Sequence, residues 1–159
     1  MYFLRQIILD TKVNPKKIPK IPENMICLET PERSSETEGD GVLWITDQGQ
    51  RARELLRQGC PVLAWFHEHN RDQDFSGVRY ACENLEELDW DYMEKVYRRY
   101  MGIPWDILTT DRCLVRETSA EDLDALYEIY AEPSVTQYTE GLYPQRAQEE
   151  AYLKDYTEN

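Results

Sequence analysis

The chain has 159 residues, with 18 basic and 31 acidic side chains and a net charge of −13. That balance argues against nucleic acid or anionic lipid as a partner, because phosphate binding needs clustered Lys and Arg. No apolar run approaches the roughly 20 residues of a membrane helix, and the Met1–Arg5 start lacks a signal-peptide pattern, so the expected location is cytoplasmic, with no membrane partner.

Apolar residues make up 41%, with 4 Trp and 11 Tyr, enough for a core. Cys27, Cys60, Cys82 and Cys113 form no Cys-x-x-Cys pair. They are expected as reduced core residues, and no metal site is expected.

Residues 1–40 carry 6 basic and 7 acidic groups and read as an irregular N-terminal segment. Within it Tyr2–Leu9 suits a strand or a short helix, and Met25–Leu28 a short strand. Pro15, Pro19 and Pro22 impose an extended path. Lys12, Lys16, Lys17 and Lys20 form a basic stretch expected to pair within the molecule. Thr30–Asp40 reads as a loop.

From Gly41 the pattern sharpens. Gly41–Thr46 is a continuous apolar run, as expected of a strand covered on both faces. Ala52, Leu55 and Leu56 then mark one face of a helix over Gln50–Gln58. Gly59 suits a left-handed cap, and Pro61 cannot continue the helix. Pro61–Phe66 predicts a second buried strand. A right-handed crossover makes the two strands parallel. After the polar loop His67–Gly77, Val78–Cys82 predicts a third strand. Asp89 is placed to cap a helix running to Met101, with Met93, Val96, Tyr97 and Tyr100 on one face. Glu83, Glu86, Glu87, Asp89, Asp91 and Glu94 read as a solvated face. Ile103–Thr110 reads as a connector, so residues 41–109 form an α/β accessory domain.

Ligands in open α/β sheets bind beyond the carboxyl ends of the strands. Asp47 and His67-Glu68-His69 fall there, but no further ligand is spaced to complete a metal site, and they read as polar loop tips. Val42–Asp47 with Ala52–Val62 resembles haloacid-dehalogenase-like or receiver-like domains. Asp47-Gln48-Gly49 lacks the second Asp of an Asp-x-Asp motif, so no phosphotransfer is expected.

The last third is the most acidic, with 4 basic and 12 acidic groups in residues 111–159. Cys113–Glu117 predicts a strand. Ser119 and Asp122 form a helix start signal. Leu123, Leu126, Tyr127 and Tyr130 line the helix that follows, and Pro133 ends it. Gly141 marks a turn. Pro144 suits a first helical position, and Ala147, Ala151 and Tyr152 begin another helix face.

Thr110-Asp111-Arg112-Cys113-Leu114-Val115-Arg116-Glu117, then Ser119-Ala120-Glu121-Asp122-Leu123, then Ala131-Glu132-Pro133-Ser134-Val135-Thr136 resembles the start of a GNAT-family N-acetyltransferase. The likeness is to the branch that includes ribosomal-protein N-terminal acetyltransferases, and it covers residues 110–159. It implies a β-α-α start. In the family a mixed sheet and an acetyl-CoA segment follow, the latter with a Gln/Arg-x-x-Gly-x-Gly/Ala loop at a helix N-terminus. Acetyl transfer is then direct attack of a neutral amine on the thioester, with a general base and oxyanion donors.

The chain departs from the family in having no such loop. The nearest lookalike, Glu36-Thr37-Glu38-Gly39-Asp40-Gly41, is acidic and precedes a strand, so it would repel a pyrophosphate. The resemblance also implies an acceptor-amine site at the bend between the two helices, here Tyr138–Tyr143. Glu140 would attract an ammonium group, and Tyr138 and Tyr143 would wall the pocket. No catalytic or cofactor-binding residue is assigned.

The expectation is thus an α/β chain with a small parallel, Rossmann-like unit and then an incomplete GNAT β-α-α start over residues 110–159. Its expected function is the N-terminal portion of an N-acetyltransferase, catalytically incomplete alone. The complete enzyme would use acetyl-CoA and a small-molecule or peptide amine. The alternative is a non-catalytic α/β module that binds a ligand or protein. An unpartnered strand at 113–117 would leave residues 111–159 docked, self-associated through the incomplete sheet, or weakly protected.

Overall fold

A computed structural model describes residues 3–11, 26–28 and 41–158, with 26–28, 157 and 158 described by backbone alone. The lysine stretch Lys12–Lys20, the proline path, the Thr30–Asp40 loop and most of the Glu36–Gly41 lookalike lie outside the described residues. By contacts the chain divides into two compact units, Met1–Met101 and Gly102–Asn159.

In the first unit Ile7-Ile8-Leu9 forms the buried centre of strand β1 (Gln6–Asp10). It lies between β2 (Ile26–Leu28) and β3 (Val42–Thr46), and β4 (Val62–Trp65) and β5 (Tyr80–Cys82) complete the order β2-β1-β3-β4-β5. All four pairings are parallel. The boundary drawn at residue 41 from sequence therefore falls inside one sheet. A five-residue apolar strand carries too little periodicity to separate it from a helix turn.

Every residue of β3 is buried, because helices cover both faces. Leu43 and Ile45 pack with Met93, Val96 and Tyr97 of α2 (Trp90–Tyr100). Val42 and Trp44 pack with Ala52 and Leu55 of α1 (Gly49–Arg57). The expected strand–helix–strand unit is present. Gly59 takes φ +79, and the Cys60 N–H bonds to the Leu55 carbonyl at 3.0 Å, closing α1 as a left-handed cap requires. Asp89 caps α2, its Oδ1 accepting the Tyr92 N–H at 2.8 Å.

Gly49 is required for a different reason. A Cβ there would stand 2.4 Å from the Asp74 carbonyl oxygen, so only glycine lets the 67–79 loop pack on the start of α1. Gln73 Oε1 accepts the Gly49 N–H at 2.8 Å in the same contact.

Glu94 corrects the solvated-face reading: it is fully buried. Cys113 is exposed rather than in a core, and Cys60 and Cys82 are half-buried.

In the second unit Ile103–Thr110 is not a connector. Asp106–Thr109 forms β6, antiparallel to β7 (Leu114–Arg116). Ile107 and Leu108 are both exposed, so the strand lacks the in–out alternation by which sequence announces one. The boundary accordingly moves from residue 110 to Gly102.

The capping box of Ser119 and Asp122 is formed, and α3 (Leu123–Tyr130) follows. Pro133 opens the short α4 (Pro133–Thr136). Helix α5 spans Arg146–Glu158, so Pro144 precedes it rather than starting it. Among its described side chains the buried ones are Glu149 and Leu153, one helical turn apart, while Ala147, Ala151 and Tyr152 are exposed. Among the described residues no helix is long and apolar enough to cross a membrane.

Candidate functional site

The parallel sheet brings Asp10, Asp47 and His67 to its carboxyl edge, where strand order reverses between β1 and β3. Their hydrogen bonds account for them structurally. His67 Nε2 lies 3.3 Å from Asp47 Oδ2, and its Nδ1 accepts the His69 N–H at 3.2 Å. Both imidazole nitrogens thus have partners within the protein. Asp10 accepts from Gln48 Nε2 at 3.2 Å and Arg51 Nε at 3.0 Å. Asn70, 1% exposed, donates to the Asp47 and Trp65 carbonyls at 2.9 and 2.8 Å. The cluster ties the 67–79 loop to β3. Among the described residues no three His, Cys, Asp or Glu side chains converge to hold a metal ion.

A cavity of about 400 Å³ opens beyond β5, lined by Cys82, Glu83, Asn84 and Tyr92 among others. Burial pushes the Cys82 thiol up to about 12, so it stays protonated near neutrality and is no nucleophile.

A larger cavity, about 530 Å³, lies at the bend between α4 and α5. The bend is held by two hydrogen bonds. Tyr127 Oη donates to the Tyr143 carbonyl at 2.7 Å, and the Tyr143 N–H donates to Glu149 Oε2 at 2.9 Å. Glu140, Tyr143, Glu149 and Tyr152 line the cavity, with Leu142 and Pro144. The Tyr143 and Tyr152 rings are 6.1 Å apart and tilted by 58°. Tyr152 stacks on Tyr156 at 6.5 Å.

Of the three residues expected at this bend, Glu140 and Tyr143 share the cavity. Tyr138 does not line it and is 88% exposed. Glu149 and Tyr152 were not expected there. An acidic residue in the first turn of a helix is the signal that points to Glu149.

No protein-family model, curated protein or solved structure matches the chain. Acetyl-CoA, the cofactor the sequence resemblance implies, does not fit the described residues. It needs free backbone N–H groups from a glycine-rich loop opening a helix. Gly49 opens α1, but its N–H is already bonded to Gln73, and the buried Asp47 carboxylate stands just before it.

Proposed function

We propose that residues 110–159 contribute the opening β-α-α part of a GNAT-type N-acetyltransferase, and that the cavity at the α4–α5 bend receives the acceptor amine. The observation that carries this reading is the joining of Glu140, Glu149, Tyr143 and Tyr152 in one cavity, at the bend where the resemblance expects an acceptor. The carboxylates attract an ammonium group, and the tyrosine faces add cation–π attraction. A carboxylate beside an ammonium holds the proton on nitrogen. Glu140 and Glu149 are therefore binding residues. Deprotonation before attack on a thioester belongs to a separate base. The reading requires the acetyl-CoA segment to be supplied outside these 159 residues.

The test is to purify the product of the native locus, weigh it intact, and incubate it with acetyl-CoA and primary amines. The expected result is a product heavier than this chain that releases free CoA thiol when amine is present. A product with the mass of the 159-residue chain that neither binds acetyl-CoA nor releases thiol overturns the proposal.

A further inference from the structure

Glu149 is only 4% exposed although it carries a carboxylate. Its Oε2 accepts the Tyr143 N–H, and no other partner engages the carboxylate among the described residues. Burying a carboxylate costs free energy that an opposite charge beside it offsets. Glu140 lines the same cavity, and no Lys or Arg does. Two carboxylates in one cavity without a lining cation concentrate negative charge there, and a ligand with positive charge complements it. The tyrosine faces suit cationic nitrogens joined by a hydrocarbon chain. A volume of about 530 Å³ holds more than a single ammonium.

We propose that this cavity selects a linear amine with two cationic nitrogens and no carboxylate, a diamine or polyamine. The proposal rests on the acceptor-site reading of the same cavity. A ligand with one ammonium leaves one glutamate uncompensated. A free amino acid brings a third carboxylate to a cavity that already holds two and that no Lys or Arg lines.

The experiment titrates the 159-residue chain with 1,5-diaminopentane, pentylamine, lysine and a tripeptide amide, followed by calorimetry and by amide shifts of residues 140–152. Lysine differs from the diamine only by its carboxylate, and pentylamine only by the missing second nitrogen. The diamine is expected to bind at least about tenfold tighter than the other three, the effect of one charge-assisted contact. Glu140→Gln and Glu149→Gln are each expected to weaken it by about tenfold. Gln at 149 still accepts the Tyr143 N–H, and Glu140 is exposed, so both variants keep the fold.

If pentylamine, lysine or the tripeptide amide binds as tightly as the diamine, with shifts at the same amides, the dication proposal is overturned and the acceptor reading stands. If none of the four ligands shifts these amides, both fall.

Discussion

Glu94 is the residue on which the Phe3–Leu4 segment hangs. Its Oε1 accepts the Phe3 N–H at 2.9 Å and its Oε2 the Leu4 N–H at 2.7 Å. Arg98 Nε donates to Oε1 at 2.9 Å, and the Arg98 guanidinium lies 4.9 Å over the Phe3 ring. One buried carboxylate thus fastens the lead-in to strand β1 onto α2. Glu94→Ala breaks the buried Glu94–Arg98 ion pair and removes the acceptor of the Phe3 and Leu4 N–H groups, and the expected loss is about 3–5 kcal/mol. Glu94→Gln keeps an oxygen acceptor and is expected to cost less. Urea unfolding checks this through the midpoint at unchanged slope. A loss below about 1 kcal/mol for Glu94→Ala, the size of an ordinary surface change, would contradict the role. Sequence could not announce this residue, because its backbone partners are 90 and 91 positions away. Locally Glu94 is one more acid in an acidic run. Glu149 was hidden similarly: apolar positions were used to orient α5, and a carboxylate occupies the buried face.

Elements were legible where one short stretch carries its own stop and start. The run Val42–Thr46, then α1 with Gly59, then β4 is such a case. Of the β6–β7 hairpin, the Cys113–Glu117 run announced β7, but β6 was missed because Ile107 and Leu108 give no alternation, and the pairing is seen only across the turn at Thr110–Cys113. There the Thr110 N–H donates to the Cys113 carbonyl at 2.8 Å. Arg116 at the end of β7 then links the hairpin to α3. Its two terminal nitrogens donate to the Asp122 oxygens at 2.9 and 2.6 Å, and Asp122 also accepts the Ser119 N–H at 2.9 Å. The Arg116 hydrogen bond, with help from Ser119, holds the Asp122 carboxyl below its ordinary value of 3.8. A carboxyl lowered by folding stabilises above its unfolded pKa, and that contribution fades as pH falls through the lower folded value. The stability difference between the native chain and Asp122→Asn is therefore expected to be constant above about pH 5. It should shrink steadily below the ordinary carboxylate pKa. Thermal melts across that range decide it, and a difference that stays constant down to pH 2 or grows as pH falls would rule out the link.

The two units divide the apolar burial unequally. In Met1–Met101 two layers of side chains pack on opposite faces of one parallel sheet. In Gly102–Asn159 the buried apolar side chains among the described residues are Leu123 and Leu153, while Ile107, Leu108, Leu114, Val115, Ile129, Tyr152 and Tyr156 are exposed. Apolar burial is the main term that opposes chain entropy, so the second unit has far less with which to resist opening. Local opening free energy, read by amide exchange, is the direct measure. Amides of β1, β3, β4 and α2 are expected to be protected at least about a hundredfold more than those of β6, β7 and α3 in dilute monomer. The exposed residues on the hairpin and α3 predict a second effect, because a partner that covers them adds the missing burial. Protection of β6, β7 and α3 should then rise with protein concentration, while that of the parallel sheet stays constant. Equal protection of the two units, in a sample that sediments as a monomer, would mean that the hairpin and its helices are held by something other than buried apolar surface.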